Sequence, residues 1–158
     1  MRLALYQPDI PQNAGTMMRM AACLGVPVDV IEPAGFDVSD RNLRRAGLDY
    51  LDHLELRRHV SFPAFQAWRR EAGLRLVLAT TKSNHLYTAF AFSRGDVLMV
   101  GRESAGVPLS VAQAADGSVA VPIRAGLRSM NVAVAAAMIL GEALRQTGFC
   151  SGAGQTAA

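Results

Sequence analysis

Residues 121–146, V-P-I-R-A-G-L-R-S-M-N-V-A-V-A-A-A-M-I-L-G-E-A-L-R-Q, read as the end of a buried strand, a tight polar loop and a long apolar helix. Pro122 closes the strand, because proline has no N–H to give to a ladder. Ser129 or Asn131 caps the helix, since a short side-chain oxygen satisfies orphan backbone N–H groups at a helix start. Val132, Ala133, Ala135, Ala136, Ile139, Leu140 and Leu144 leave little polar face until Glu142, Arg145 and Gln146. Such a helix is expected to be buried on more than one side.

Upstream, short apolar runs alternate with helical patterns. Strands are predicted at 2–6, 27–31, 56–60, 75–80, 97–100 and 118–123. The runs at 75–80 and 97–100 are nearly continuous, as strands buried on both faces are. Helices are predicted from Asn13, as cap, to Leu24; at 64–72 behind Ser61 and Pro63; at 108–114; and at 129–147. A short basic helix at 41–45 opens at Ser39 or Asp40 and ends at Gly47. Gly25 and Gly73 supply left-handed stops. This alternation specifies a single α/β domain over residues 1–148, a mostly parallel sheet with helices on both faces. Residues 149–158, small and polar at their end, form a flexible tail. Ligands of such sheets bind outside the carboxyl ends of strands, which points to the loops after Tyr6, Ala79, Val100 and Ile123.

The bulk numbers agree with one globular domain. The chain has 158 residues, 51% of them hydrophobic and 18% charged, which is enough to bury a core and too apolar for disorder. The net charge of +3 says little about partners, but fifteen of the sixteen basic residues are Arg, with Lys82 the only lysine. Arginine favours planar, bidentate phosphate contacts. Cys23 and Cys150 have no metal or redox spacing, and His53, His59 and His85 show no ligand spacing, so no metal is expected. The amino terminus lacks a signal-peptide apolar region, and the longest apolar run is about half a membrane span. A cytoplasmic protein with reduced thiols and no membrane segment is expected.

Three loops carry polar chemistry. After Tyr6 come Asn13, Gly15 and Arg19; after Leu78 come Ala79, Thr80, Thr81 and Lys82; after Val100 comes G-R-E-S-A-G, with Gly101 and Gly106 bracketing Arg102, Glu103 and Ser104. The paired glycines let the backbone bend sharply and approach a ligand. The pattern is neither a dinucleotide turn nor a P-loop, and no serine sits in a nucleophile elbow. Taken singly, each loop reads equally well as a helix cap or a strand-to-helix turn.

Taken in order, N-A-G-T-M-M-R at 13–19, L-M-V-G-R-E-S-A-G-V-P at 98–108, and V-P-I followed by S-M-N and an apolar helix resemble the three motifs of the SPOUT methyltransferases. R-R-A-G-L-D-Y at 44–50, A-T-T-K at 79–82 and the short chain narrow the resemblance to the small family that methylates the ribose 2′-oxygen of the tRNA wobble nucleotide. The resemblance implies a SPOUT-type sheet with a C-terminal trefoil knot, which holds S-adenosyl-L-methionine in a bent shape. It implies a homodimer through the C-terminal helix. Carried over by position, the cofactor site is Ala79, Thr80, Gly101, Glu103, Val121, Ile123, Ser129, Met130 and Asn131.

The catalytic residues implied are Arg19, Asn13 and Glu103. Arginine stays cationic at working pH and makes a poor base, so Arg19 is read as a clamp on the ribose hydroxyl and its phosphate. A water, an RNA phosphate or Glu103 takes the proton. Charge clustering marks Arg41, Arg44, Arg45, Lys82 and Arg124 as contacts to the tRNA anticodon stem-loop, and Tyr50 or His85 as stacking residues. The role of Arg102, where relatives more often carry a small residue or proline, is open. The alternatives are a 2′-O-methyltransferase acting on another tRNA or rRNA position, and a non-catalytic RNA-binding module on the same fold.

Overall fold

A computed structural model describes residues 1–37 and 52–148. The predicted basic helix with Arg41, Arg44 and Arg45, its flanking Ser39, Asp40 and Gly47, Tyr50, Cys150 and the tail at 149–158 lie outside the described residues.

Six short strands form one sheet: β1 Arg2–Tyr6, β2 Val28–Ile31, β3 Leu56–His59, β4 Arg75–Ala79, β5 Asp96–Val100 and β6 Gly117–Val119. Their order is β3-β2-β1-β5-β4-β6, and every pairing is parallel. The apolar runs in β1, β4 and β5 have the physical cause expected of them: alternate side chains go to opposite faces, and both faces are covered. On one face Leu3, Leu5, Val77, Leu98 and Val100 pack beneath α1 (Pro11–Cys23) and α4 (Val132–Thr147). On the other, Ala4, Tyr6, Leu76, Leu78, Val97 and Met99 pack with Phe65 of α2 (Phe62–Glu71) and Val111 of α3 (Leu109–Gln113). The chain runs β1, β2, β3 outward in one direction and then returns to place β5 and β4 on the other side of β1. The switch point therefore lies between β1 and β5.

Helix starts follow local chemistry with one correction. Ser61 caps α2 by accepting from the Ala64 N–H, and Asn131 caps α4 by accepting from Ala133 N–H at 2.9 Å and Val134 N–H at 3.3 Å. Asn13 is not a cap. The helix begins two residues earlier at Pro11, behind Ile10, because proline at the first helical position forfeits an N–H that has no partner there. Gly25 and Gly73 stop their helices at φ +62° and +66°.

The last strand is shorter than the apolar pattern at 118–123 suggests. Its ladder ends at Val119, Ala120 makes a single bridge to Leu86, and Tyr87 N–H donates to the Ala120 carbonyl. With no N–H on Pro122, the chain leaves the sheet and carries Val121 and Ile123 into a cleft. A 3-10 turn at Tyr87–Ala89 was not legible in the sequence pattern.

Helix α4 is apolar on three sides, which meet different surroundings. Ala133, Ala136, Leu140, Ala143 and Leu144 enter the core. Val132, Ala135 and Ile139 line the cleft. Val134 and Met138, 52% and 38% exposed, lie with exposed Ala137 and Gly141 along the third side. The expectation of burial on more than one side is thus met within the chain for two sides only. Among the described residues no helix is long and apolar enough to cross a membrane.

At the opposite edge of the strands, fully buried Asp96 accepts from Arg75 Nε and Nη2, both at 2.7 Å, and from Ser93 N–H and Oγ–H. Burial raises the carboxyl's pKa, and the Arg75 and Ser93 hydrogen bonds lower it by more, so the balance lies below the usual value. A depressed carboxylate stabilises above its unfolded pKa of about 3.9, and that stability is lost as pH falls through the folded value. Asp96→Ala strands the part-exposed Arg75 and should cost about 2–4 kcal/mol; urea melts at pH 7 and pH 3 should show the difference from wild type shrinking at the lower pH.

Candidate active site

Because all strands are parallel, the loops leaving β1, β4, β5 and β6 emerge at one edge, and they enclose a cleft of about 500 Å³. Its apolar walls come from Leu78, Val100, Val107, Val119 and Ile139, and its polar rim from Asn13, Thr80, Thr81, Glu103, Ser129 and Asn131. The volume and the mixture suit a ligand of nucleoside size, held by apolar walls and a few directed polar groups.

All nine positions carried over for cofactor contact, Ala79, Thr80, Gly101, Glu103, Val121, Ile123, Ser129, Met130 and Asn131, line this one cleft. Of the three positions expected to be catalytic, Asn13 and Glu103 also line it, whereas Arg19 does not. Arg19 is exposed on α1, six residues past Asn13, hence about 9 Å further along the axis and on another face.

Three ties brace the cleft. The Asn131 side chain uses both ends: its oxygen caps α4, and its Nδ2 donates to Asn13 Oδ1 at 2.9 Å, across 118 residues of chain. The 101–106 loop folds on itself, with Arg102 N–H donating to the Gly106 carbonyl at 3.0 Å and Gly106 N–H returning to Arg102 at 2.8 Å. Gly106 sits at φ +66°, and a Cβ on Gly101 would stand 2.7 Å from the Gly106 carbonyl carbon, so both glycines are required by the turn. Finally Asp9, between β1 and α1, reaches the same loop: its Oδ1 accepts from Glu103 N–H at 3.0 Å, its Oδ2 from Ser104 N–H at 3.4 Å and from Ser104 Oγ–H, and its own N–H donates to Glu103 Oε2 at 3.2 Å.

This last tie shapes the electrostatics. Burial pushes the Glu103 carboxyl up, and a hydrogen bond between the two side chains pushes it further the same way. The hydrogen bond from Glu103 holds Asp9 far below the usual carboxylate range. Asp9 is the residue bracing the cleft that the sequence reading missed. Its signal, an acidic residue in the Q-P-D-I-P turn, has no spacing that relates it to Glu103 in the distant motif.

Of the positions expected to meet RNA, Lys82 and Arg124 are exposed on the loops after β4 and β6, with exposed Arg102 and Arg128 beside them. Arg2, Arg58, Arg69, Arg75 and Arg145 are committed to carboxylates, but these four cations form no ion pair among the described residues. His85 is exposed at the far end of the β4 loop. Among the described residues no group of three or more His, Cys, Asp or Glu is placed to hold a metal.

The model of the SpoU rRNA Methylase family matches residues 1–141. A tRNA (cytidine(34)-2′-O)-methyltransferase of Beijerinckia indica subsp. indica is 64% identical over 146 residues, covering 92% of this chain and 91% of the relative. A solved structure described as giving insight into the 2-OH methylation of C/U34 on tRNA superposes with a TM-score of 0.83 at 41% identity, covering 92% of this chain and 94% of that one. The SpoU methyltransferase AviRb of Streptomyces viridochromogenes, solved in complex with the cofactor AdoMet, superposes with a TM-score of 0.82 at 30% identity, covering 92% of this chain and 60% of that one.

Gly101→Ala is the sharpest test of the cleft's architecture. Its methyl group meets backbone that cannot give way, so stability should fall by about 1–3 kcal/mol in a urea melt. A melt superimposable on wild type would mean that the 101–106 turn is not held as described.

Proposed function

The chain belongs to the SpoU rRNA methylase family, and from that premise we propose that it methylates the ribose 2′-hydroxyl of the wobble nucleotide, position 34, of tRNA, with S-adenosylmethionine as methyl donor. The observation that carries the reading is the convergence of four loops on one cleft bearing the family's motif positions. The relatives of matching length add the substrate: they are named for cytidine(34) or C/U34 of tRNA.

When bound, S-adenosylmethionine supplies a methyl group already activated on a sulfonium. The chain's own work is therefore alignment, which can contribute about 7–11 kcal/mol to such a displacement. The apolar walls Leu78, Val100 and Val121 suit an adenine ring, and the glycine at Gly101 lets backbone groups approach it. Asn131 and Asn13 fix the entrance of α4 against α1, so the wall made by Ser129 and Met130 keeps its place.

Arg19 is assigned the clamp. A guanidinium beside the attacking hydroxyl favours its ionised form and holds the neighbouring phosphate, although it cannot take the proton itself. Lys82, Arg102, Arg124 and Arg128 are assigned to the RNA backbone, because they form no ion pair among the described residues and so keep their charge available for phosphates. Arg41, Arg44 and Arg45 retain that role as an expectation from the sequence.

We assign the uncovered side of α4 to a second copy of the chain. Val134 and Met138 give it apolar area, while Ala137 and Gly141 let a helix approach closely. Arg19 does not line the cleft of its own chain, and the second copy is assigned the task of bringing RNA across α1 to it. The trefoil knot implied by the motifs belongs to the same reading, as does the cytoplasm, where tRNA is met.

Methyl transfer from labelled donor to tRNA transcripts, mapped by ribose-methylation footprinting, should place the product at nucleotide 34. Methylation only elsewhere in tRNA, or only in ribosomal RNA, would overturn the substrate. Arg19→Ala should lower kcat by about 10²–10³-fold with donor affinity retained; full activity would remove Arg19 from the mechanism. In sedimentation the chain should run at twice its 16.9 kDa mass. Met138→Arg, which places a charge in the apolar stripe, should shift it toward the single-chain value.

A further inference from the structure

The loops after β1 and β5 flank the switch point of the sheet, and two carboxyl groups join them where opposite charges would be expected. Asp9 accepts three hydrogen bonds, from Glu103 N–H, Ser104 N–H and Ser104 Oγ–H, which leaves one of its about four acceptor sites open. Its own N–H fills Glu103 Oε2. Gly35 closes the loop from behind, its N–H bonded to the Pro8 carbonyl and its Cα so near that a Cβ there would stand 3.0 Å from Asp9 Cα.

Glu103 Oε1 is then the anomaly. It is buried, and among the described residues no N–H or O–H is directed at it. A bare carboxylate oxygen in that position would be stripped of water and given nothing in return, at a cost of several kcal/mol. No lysine or arginine forms an ion pair with either carboxyl among the described residues. The Arg102 guanidinium, next in the chain, is exposed and bonds to neither. The charged group facing Glu103 is Asp9. Two carboxylates in contact cannot both be ionised without a cation between them. The contact is satisfied when Glu103 carries the proton and gives it to Asp9; burial first and this hydrogen bond second raise Glu103, and the same bond lowers Asp9.

We propose that Asp9 is a positioning residue which holds Glu103 as a neutral carboxylic acid across the β1–β5 switch point, and that Glu103 is not the base of the methyl transfer. The Asp9 carboxylate fixes the backbone of 103 and 104 as well as the Glu103 side chain, so it sets the shape of the cleft wall made by the 101–106 loop. A carboxylic acid whose proton is committed to a neighbour has no free lone pair of carboxylate strength to offer a ribose hydroxyl. The ribose proton must leave to a water or an RNA phosphate instead. The mechanistic half of this proposal rests on the function assigned above; the positioning half does not.

The test separates the two. Carbon-detected NMR of the Glu side-chain carboxyls, titrated in the free protein, should show one Glu carboxyl titrating above the rest. It should be absent from Glu103→Gln and lowered in Asp9→Asn, where burial alone still holds it up. A wild-type protein in which every Glu titrates in the ordinary range overturns the proposal, whatever the enzyme does to RNA. Calorimetry with S-adenosylmethionine should give binding weakened about tenfold in both Asp9→Asn and Glu103→Ala. Glu103→Gln should recover most of that loss, because its amide N–H can replace the acid's O–H toward Asp9. In methyl transfer, Glu103→Gln should lower kcat by about three- to tenfold, whereas removal of a general base costs about 10²–10⁴-fold. A hundredfold fall in kcat with donor affinity retained makes Glu103 the base and refutes the assignment. A chain that transfers no methyl to tRNA at all leaves the titration and calorimetry to decide, and its failure is then the failure of the functional reading alone.

Discussion

A sheet whose six strands all point one way delivers every loop that leaves a carboxyl end to the same edge, and the site of this protein depends on that constraint. An antiparallel neighbour would have sent one of the loops after β1, β4, β5 and β6 to the opposite edge and left the cleft open on a side. Parallel pairing in turn demands long crossovers, and the helices that make them cover both faces. The burial of β1, β4 and β5 on both sides and the convergence of the polar loops are therefore consequences of the same arrangement.

Convergence alone would leave four mobile loops. What makes a shaped wall of them is a small set of long-range polar ties, each formed by a side chain that serves two segments. Asn131 ends a helix and holds another; Asp9 binds a loop that lies 94 residues away in sequence. These ties join the second and third motif segments to the stretch that follows β1, Asn131 to Asn13 and Glu103 to Asp9. A ligand entering the cleft meets a surface already ordered, so less of its binding is spent on fixing loops. Helix α4 shows the same economy: one face serves the core, one the cleft, and the third is left exposed.

Where the sequence could be read, the interactions were local. Ser61 three residues before Ala64, the glycines at 25 and 73, and the unbroken apolar runs of β4 and β5 each specify structure within a few residues, and each was recovered within a residue or two. The misreadings were also local competitions. Asn13 looked like a cap because its side chain is right for one, but Pro11 is the better start, and Asn13 was left free for Asn131. The run at 118–123 looked like six residues of strand because apolar residues line a cleft as readily as they extend a sheet. Only the bridge of Ala120 to Leu86 and the missing N–H of Pro122 show where the ladder stops.

By itself the sequence determined the class of the fold, the order of its elements, the identity of the loops that enclose the cleft, and through its motifs the residues that line it. Hydrophobic period and turn chemistry act over a few residues, and they survive in a linear text. Tertiary structure alone decided that Asp9 faces Glu103, that Asn13 receives Asn131, that Arg19 stands away from the cleft of its own chain, and that one face of α4 is left uncovered. Each of these depends on the direction of a side chain and on a partner far along the chain. Nothing in residue spacing records the distance between two loops that meet only because β1 and β5 lie side by side.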